Sequence, residues 1–289
     1  MRFIALILIV AIGIGGLVYV YREPLVLDAL SLRASRSTLA ERQALIAPAM
    51  QFRPPEGGAP PYPAVIFFHG CAGLRQPFMD QWTAVANQAG FMAVVVDSHG
   101  PRGIDRPRAL ETVCGGKELI GQERAGDVLA AYEIVRQRSD VDRSKIALAG
   151  WSHGAWSVMD FIAMDPPQRR PAGITGRLNE PHSIAGAILV YPYCGLGTWS
   201  HLIGWRRPVP TLALVAGADS IVDPEVCPRV IGALNKKGAG IDLEIYPRSD
   251  HAFDDPFLEP AYQHLYDADA HAEEAQRFKA FLEKLPSVR

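Results

Sequence analysis

The 289-residue chain is 48% hydrophobic with a formal net charge of −2 at pH 7, enough apolar material for one catalytic-size domain with an extension. Its basic residues are scattered among acidic ones, which leaves no electrostatic footprint for nucleic acid. The four cysteines form an even count, as expected of a chain that lives in an oxidising compartment.

Residues 3–21 carry no charge and are bracketed by Arg2 and Arg22, close to the roughly 20 residues that cross a bilayer core as a helix. A cleaved signal has a shorter apolar region and a small-residue cleavage site. Residues 1–21 are therefore expected to be a transmembrane helix that stays in place as a signal anchor. Arg22, Arg33, Arg36 and Arg42 outnumber Arg2, which taken alone favours a cytoplasmic domain. Long domains translocate despite flanking charge, and the cysteines favour a periplasmic or extracellular location for a membrane-anchored catalytic domain. Residues 22–46 read as a membrane-proximal linker or helix, and residues 47–289 as the catalytic domain.

A short strand over 47–52 is followed by the Pro- and Gly-rich turn 53–61. The apolar run 64–68 reads as a buried strand and ends in His69-Gly-Cys-Ala-Gly73. A helix over 79–89 leads to a strand over 91–96, which ends in Asp97-Ser-His-Gly-Pro-Arg-Gly103. A helix over 119–138 precedes the strand from Lys145, which runs into Gly150-Trp-Ser-His-Gly154 and a helix over 155–164. Strands over 185–190 and 211–215, a helix over 224–236 and a strand over 241–246 follow. A last helix over 262–285 puts Ala275, Phe278, Phe281, Leu282 and Leu285 on one face. Apolar strands alternating with helices imply an α/β fold with a mostly parallel, doubly wound sheet, whose working loops lie at the carboxyl ends of the strands.

Each motif falls at such an end. Gly150-Trp-Ser-His-Gly154 fits a nucleophile elbow, in which flanking glycines let a serine sit on a sharp strand-to-helix turn. A serine hydroxyl needs a base oriented by a carboxylate. Asp219 directly follows the strand 211–215, ahead of Asp223 as candidate acid, and His251 lies in the loop after 241–246. The order Ser152, Asp219, His251 is the one expected of an α/β-hydrolase triad. His182, His201, His264 and His271 lack that setting. The backbone amides of Cys71 and His153 are the candidate oxyanion donors. A metal site from His69, Cys71, His99 and His153 lacks paired ligand spacing, so no metal is expected.

Together these motifs resemble the dienelactone hydrolase family within the α/β-hydrolases, over roughly residues 47–285. The resemblance implies an eight-stranded type of hydrolase sheet, a Cys or Ser nucleophile with Asp and His, and no cofactor. Enzymes of the dienelactone type carry cysteine where this chain has Ser152, a glutamate where Gly70 stands, and an arginine where Asp254 and Asp255 stand. The reading is a serine carboxylesterase acting on a small-molecule ester or thioester, with a peptidase of the same fold or a catalytically silent binding module as alternatives. Arg102 and Trp151 are the candidate substrate-binding side chains, with a structural salt bridge as the competing role for Arg102. In this fold the strands before Cys71 and Cys114 are neighbours, as are those before Cys194 and Cys227, which implies the pairs Cys71–Cys114 and Cys194–Cys227. No feature of the sequence fixes an oligomeric state.

Overall fold

Apolar runs rich in Val, Ile and Phe form the centre of a seven-stranded sheet, because strands buried on both faces need no polar alternation. The computed structural model describes residues 32–178 and 182–288. The expected signal anchor at 1–21 lies outside them, and among the described residues no helix is long and apolar enough to cross a membrane.

In chain order the strands are β1 (Ser37–Thr38), β2 (Met50–Arg53), β3 (Tyr62–Phe68), β4 (Met92–Val96), β5 (Val141–Trp151), β6 (Ile174–Thr175), β7 (Gly186–Val190), β8 (Thr211–Ala216) and β9 (Ile241–Tyr246). The main helices are α1 (Leu39–Ile46), α2 (Gln76–Gln88), α3 (Gly121–Arg136), α4 (His153–Met164), α5 (Trp199–Ile203), α6 (Val226–Lys236) and α7 (Ala268–Lys284). The main sheet runs β2-β4-β3-β5-β7-β8-β9, with β2 antiparallel and all other neighbours parallel. This is an α/β-hydrolase-like fold whose main sheet has, among the described residues, seven strands where the eight-stranded type was expected. β1 and β6 pair separately beside α1.

Side chains alternate across the sheet and divide the core in two. Ile66, Phe68, Val94 and Leu148 pack with Ile46 of α1, Leu129 of α3, Met159 of α4 and Ile231 of α6. Val65, Phe67, Val95 and Ala149 pack on the other face with Met79 and Trp82 of α2 and Phe278 and Leu282 of α7. Burial of each such large side chain contributes about 1.5–3 kcal/mol.

Three element boundaries differ from the sequence reading. Pro48 opens a tight turn over Ala47–Ala49, so the first strand starts at Met50. α3 begins at Gly121, where an added Cβ would strike the Trp156 ring at 2.2 Å. The long last helix is broken: Pro260–Leu265 forms a tight turn, and the Asp267 carboxylate accepts the Ala270 amide to start α7 afresh. Phe278, Leu282 and Leu285 are buried as expected, with Ala275 and Phe281 packed at the margin.

Candidate active site

Ser152 sits between the last residue of β5 and the first of α4, at φ 53° and ψ −116°. A non-glycine residue in this region stores backbone strain of about 1–3 kcal/mol. The glycines on either side permit the turn: a Cβ on Gly150 would lie 2.5 Å from Ala155 N, and one on Gly154 would lie 2.0 Å from the Phe68 carbonyl oxygen. α4 can therefore start directly against the end of β3, and the Ser152 amide is tied to the Val190 carbonyl at 2.8 Å.

The loops after β8 and β9 bring the other two expected groups to this serine. His251 Nδ1 lies 2.7 Å from Asp219 Oδ2, and its Nε2 lies 3.0 Å from Ser152 Oγ. The carboxylate fixes the proton on Nδ1, which leaves Nε2 to accept from the serine hydroxyl. Asp219 is itself oriented, because its Oδ1 accepts the amides of Ile221 and Val222, each at 2.9 Å. Asp250 joins the two loops by accepting the amides of Ser220 and His251. Asp223 instead caps the Glu225 amide, His182 bonds Glu133, and His271 meets Tyr266, so these competitors have other work.

The Cys71 and His153 amides lie beside Ser152, and backbone bonds set their directions. The Gly70 carbonyl accepts His69 Nδ1–H at 2.7 Å and the Gly73 amide at 3.3 Å. C=O and N–H point opposite ways across a trans peptide, so these bonds aim the Cys71 N–H. In the same manner, the Ser152 carbonyl accepts the Trp156 amide at 3.0 Å and aims the His153 N–H out of the start of α4. Gly70, which stands where the family's dienelactone type has glutamate, would carry a Cβ 3.7 Å from Ser152 Cβ. Its bareness leaves the serine uncovered.

Both expected disulfides are present: Cys71–Cys114, spanning 43 residues, and Cys194–Cys227, spanning 33. The first forms a wall of the larger of two recesses that meet at Ser152. This recess, about 340 Å³, is lined by Val113, Ile120, Trp156, Leu196, Ile221 and Val222. The smaller, about 170 Å³, lies between Gly70, Phe78, Met79, Tyr191 and Leu258.

The two candidate substrate-binding side chains are placed differently from the sequence reading. Arg102 borders neither recess; it donates to the Ser98 carbonyl at 2.6 Å and pairs with buried Asp127 at 2.8 Å, beside the Arg42–Asp127 pair. Trp151 reaches the edge of the smaller recess, but its indole is sunk among Phe67, Phe78 and Trp82. Its Nε1–H donates to Asp254 at 3.0 Å, and the Tyr191 hydroxyl donates to the same carboxylate at 2.7 Å. Burial pushes Asp254 up to about 7, against those two bonds and with the neighbouring Asp255 charge. Asp254 thus ties the His251 loop to the residue preceding the serine, a role that its sequence context did not signal.

Three of the four residues weighed as metal ligands are engaged by other groups, while neither ring nitrogen of His99 has a hydrogen-bond partner among the described residues. Cys71 is in its disulfide, and His69 meets His99 edge to face at 4.6 Å between centroids. The guanidinium of Arg124 lies 3.0 Å from His153 Nδ1, on the lone pair that a metal would use. Burial, together with the charge of Arg124, holds His69 and His153 below the ordinary histidine range, and burial brings His99 down to about 2.

The dienelactone hydrolase family matches residues 48–285. A candidate dienelactone hydrolase from Klebsiella pneumoniae superposes with TM-score 0.59 at 17% identity, covering 81% of this chain and 92% of that one. An esterase from Thermogutta terrifontis, solved with propionate bound, superposes with TM-score 0.58 at 17% identity, covering 83% and 91%. Among curated sequences, a probable dipeptidyl-aminopeptidase B of Penicillium rubens is 32% identical over 108 residues, 36% of this chain and 12% of that protein. The chain spans between about an eighth and a third of the length of the curated relatives it matches. With its family matched over most of its length, the chain belongs to the dienelactone hydrolase family.

Proposed function

We propose that the chain is an esterase that cleaves uncharged carboxylic esters or thioesters through Ser152, His251 and Asp219. The observation that carries this reading is the unbroken alignment of Ser152 Oγ, the His251 ring and Asp219. His251 Nε2 takes the hydroxyl proton as Ser152 Oγ bonds to the carbonyl carbon. The carbonyl oxygen, now negative, is held by the amides of Cys71 and His153. His251 then gives its proton to the departing alkoxide or thiolate, leaving an acyl-serine. A water molecule repeats the sequence and releases the acid. Asp219 keeps the ring in the required tautomer and offsets its charge.

The lining of the recesses supports an uncharged substrate. Among the described residues, no charged side chain lines the larger one. Arg75 and Arg106 border the smaller, but each is matched by a carboxylate, Asp255 and Glu259 respectively. A free carboxylate on the substrate, as in dienelactone, would find no unmatched cation among these lining residues. The esterase named among the structural neighbours supports an ester over an amide.

The two disulfides support a periplasmic or extracellular catalytic domain, and the uncharged run 3–21 supports its attachment to a membrane. The likeness to dipeptidyl-aminopeptidase B favours a second reading, cleavage of peptides. One experiment separates the readings: p-nitrophenyl ester turnover, peptide turnover and fluorophosphonate labelling of the full chain in mild detergent, beside Ser152→Ala. The esterase reading expects labelling and ester turnover, with kcat lost by about 10⁶-fold in the variant. Preference for peptides would establish the second reading, and a folded wild type that is never labelled would make the domain a binding module.

A further inference from the structure

α3 is buried on nearly all sides, all but two of its residues being enclosed, so its charges lie inside the protein. Asp127 is matched by both Arg42 and Arg102. Arg124, one turn earlier and fully buried, forms no ion pair among the described residues. A buried guanidinium without a contacting carboxylate is costly, and such a group calls for a reason.

Its hydrogen bonds supply one. Nη1 donates one N–H to the His69 carbonyl at 2.7 Å and the other to His153 Nδ1 at 3.0 Å, while Nε donates to Ser98 Oγ at 3.1 Å. Three separate segments are gripped: the ends of β3 and β4 and the start of α4. The first carries the Cys71 amide two residues on, and the last carries the His153 amide. Among the described residues, no other side-chain hydrogen bond from α3 joins these two segments through a single atom. Burial brings Arg124 down to about 10, so it stays charged at neutral pH, and the neutral His153 ring offers Nδ1 as acceptor.

We propose that Arg124 is the positioning residue of the oxyanion site: one guanidinium nitrogen fixes the spacing of the Cys71 and His153 amides, and its charge, in direct contact with no carboxylate among the described residues, favours the negative oxygen held between them. Arg124 exchanges no proton and touches no substrate in this scheme. The proposal rests on the serine hydrolase reading. It predicts a defect in transition-state binding more than in substrate binding.

The test uses the full chain and the variants Arg124→Met and Arg124→Lys. Active sites are counted by fluorophosphonate labelling; kcat and KM for p-nitrophenyl butyrate are expressed per active site. An aryl trifluoromethyl ketone, whose adduct with Ser152 carries an oxyanion, gives a separate inhibition constant. For Arg124→Met, kcat per site falls by about 10²-fold, KM changes by less than about 3-fold, and the ketone binds weaker by about the same factor as kcat. Arg124→Lys, which keeps the charge but loses the two-pronged nitrogen, recovers part of both.

If kcat per labelled site and ketone affinity both stay within about 3-fold of wild type, Arg124 only holds the fold together and the proposal is overturned. Should the Arg124 variants fail to fold, His153→Phe removes the gripped ring and keeps the amide. A parallel loss in kcat and ketone affinity there supports the proposal, and wild-type values overturn it. An unlabelled wild type overturns the serine hydrolase reading itself, a result distinguishable from labelled variants with normal kcat.

Discussion

Removing the two disulfides one at a time should cost similar stability and very different activity. In the chain-entropy account, the stabilisation from a crosslink grows with the logarithm of the loop it closes. Loops of 43 and 33 residues give about 4.0 and 3.7 kcal/mol at 25 °C, a difference of only about 0.2–0.3 kcal/mol. The chemistry at the two ends is unequal. In the proposed mechanism Cys71 supplies an amide to the oxyanion, and Cys114 walls the larger recess. Cys194 and Cys227 are buried against Met159 and the Pro192 carbonyl, outside the lining of either recess. Cys71→Ala/Cys114→Ala should therefore lower kcat/KM for p-nitrophenyl butyrate by about 10²-fold, the usual cost of one oxyanion donor. Cys194→Ala/Cys227→Ala should lower it by less than about 10-fold. Urea unfolding followed by tryptophan fluorescence gives the stabilities, and initial rates per labelled site give the activities. Equal activity losses, or stabilities that differ by more than about 2 kcal/mol, would refute this reasoning.

Three further outcomes are expected. Asp219→Asn should keep its loop contacts but free the His251 tautomer, lowering kcat by about 10⁴-fold with little change in the melting temperature; an equal fall in both would point to misfolding instead. Glu274 is fully buried with neither carboxylate oxygen hydrogen-bonded, and its burial beside Asp254 raises it well above the usual carboxylate range. The native state then keeps a proton that the unfolded chain releases near pH 4.3, so stability falls as pH rises above about that value. Glu274→Gln should lift the urea midpoint more at pH 8 than at pH 5, and a gain independent of pH would count against the assignment. For Gly154→Ala, the new Cβ would meet the Phe68 carbonyl oxygen at 2.0 Å, which backbone cannot yield to without moving β3 or α4. A loss of more than about 3 kcal/mol is expected, and a wild-type midpoint in urea would show that the elbow has more room than described.

The meeting of Ser152, Asp219 and His251 was legible in the sequence because each follows an apolar strand run, and strand ends locate such groups whatever the loops do. Ser152, Asp219 and His251 needed only chain order and position. Arg102 was open to two roles because its partner, Asp127, is supplied by a helix 25 residues later. Asp254 was legible only as the absence of an expected arginine; its bonds to Trp151 and Tyr191 cross 103 and 63 residues. Arg124 belongs to none of the strand-end motifs that mark the other site residues in the sequence. The signal that could have found it is the company it keeps: Gln122, Glu123, Arg124 and Asp127 stand in a helix whose small residues, Ala125, Gly126, Ala130 and Ala131, allow close packing on every side. The last helix was read too long because periodicity continued through 262–266, where Pro260 and the Asp267 cap in fact divide it.

The order of strands also bears on how the enzyme comes into being. β5, β7, β8 and β9 are laid outward from the middle of the sheet in the order in which they are synthesised. A growing polypeptide therefore receives the proposed nucleophile at the end of β5, the proposed acid after β8 and the proposed base only after β9. The cover of the far face comes later still, when Phe278 and Leu282 of α7 settle among Phe67 and Trp151. Ser152 thus meets the proposed base, His251, only when almost the whole domain has been made.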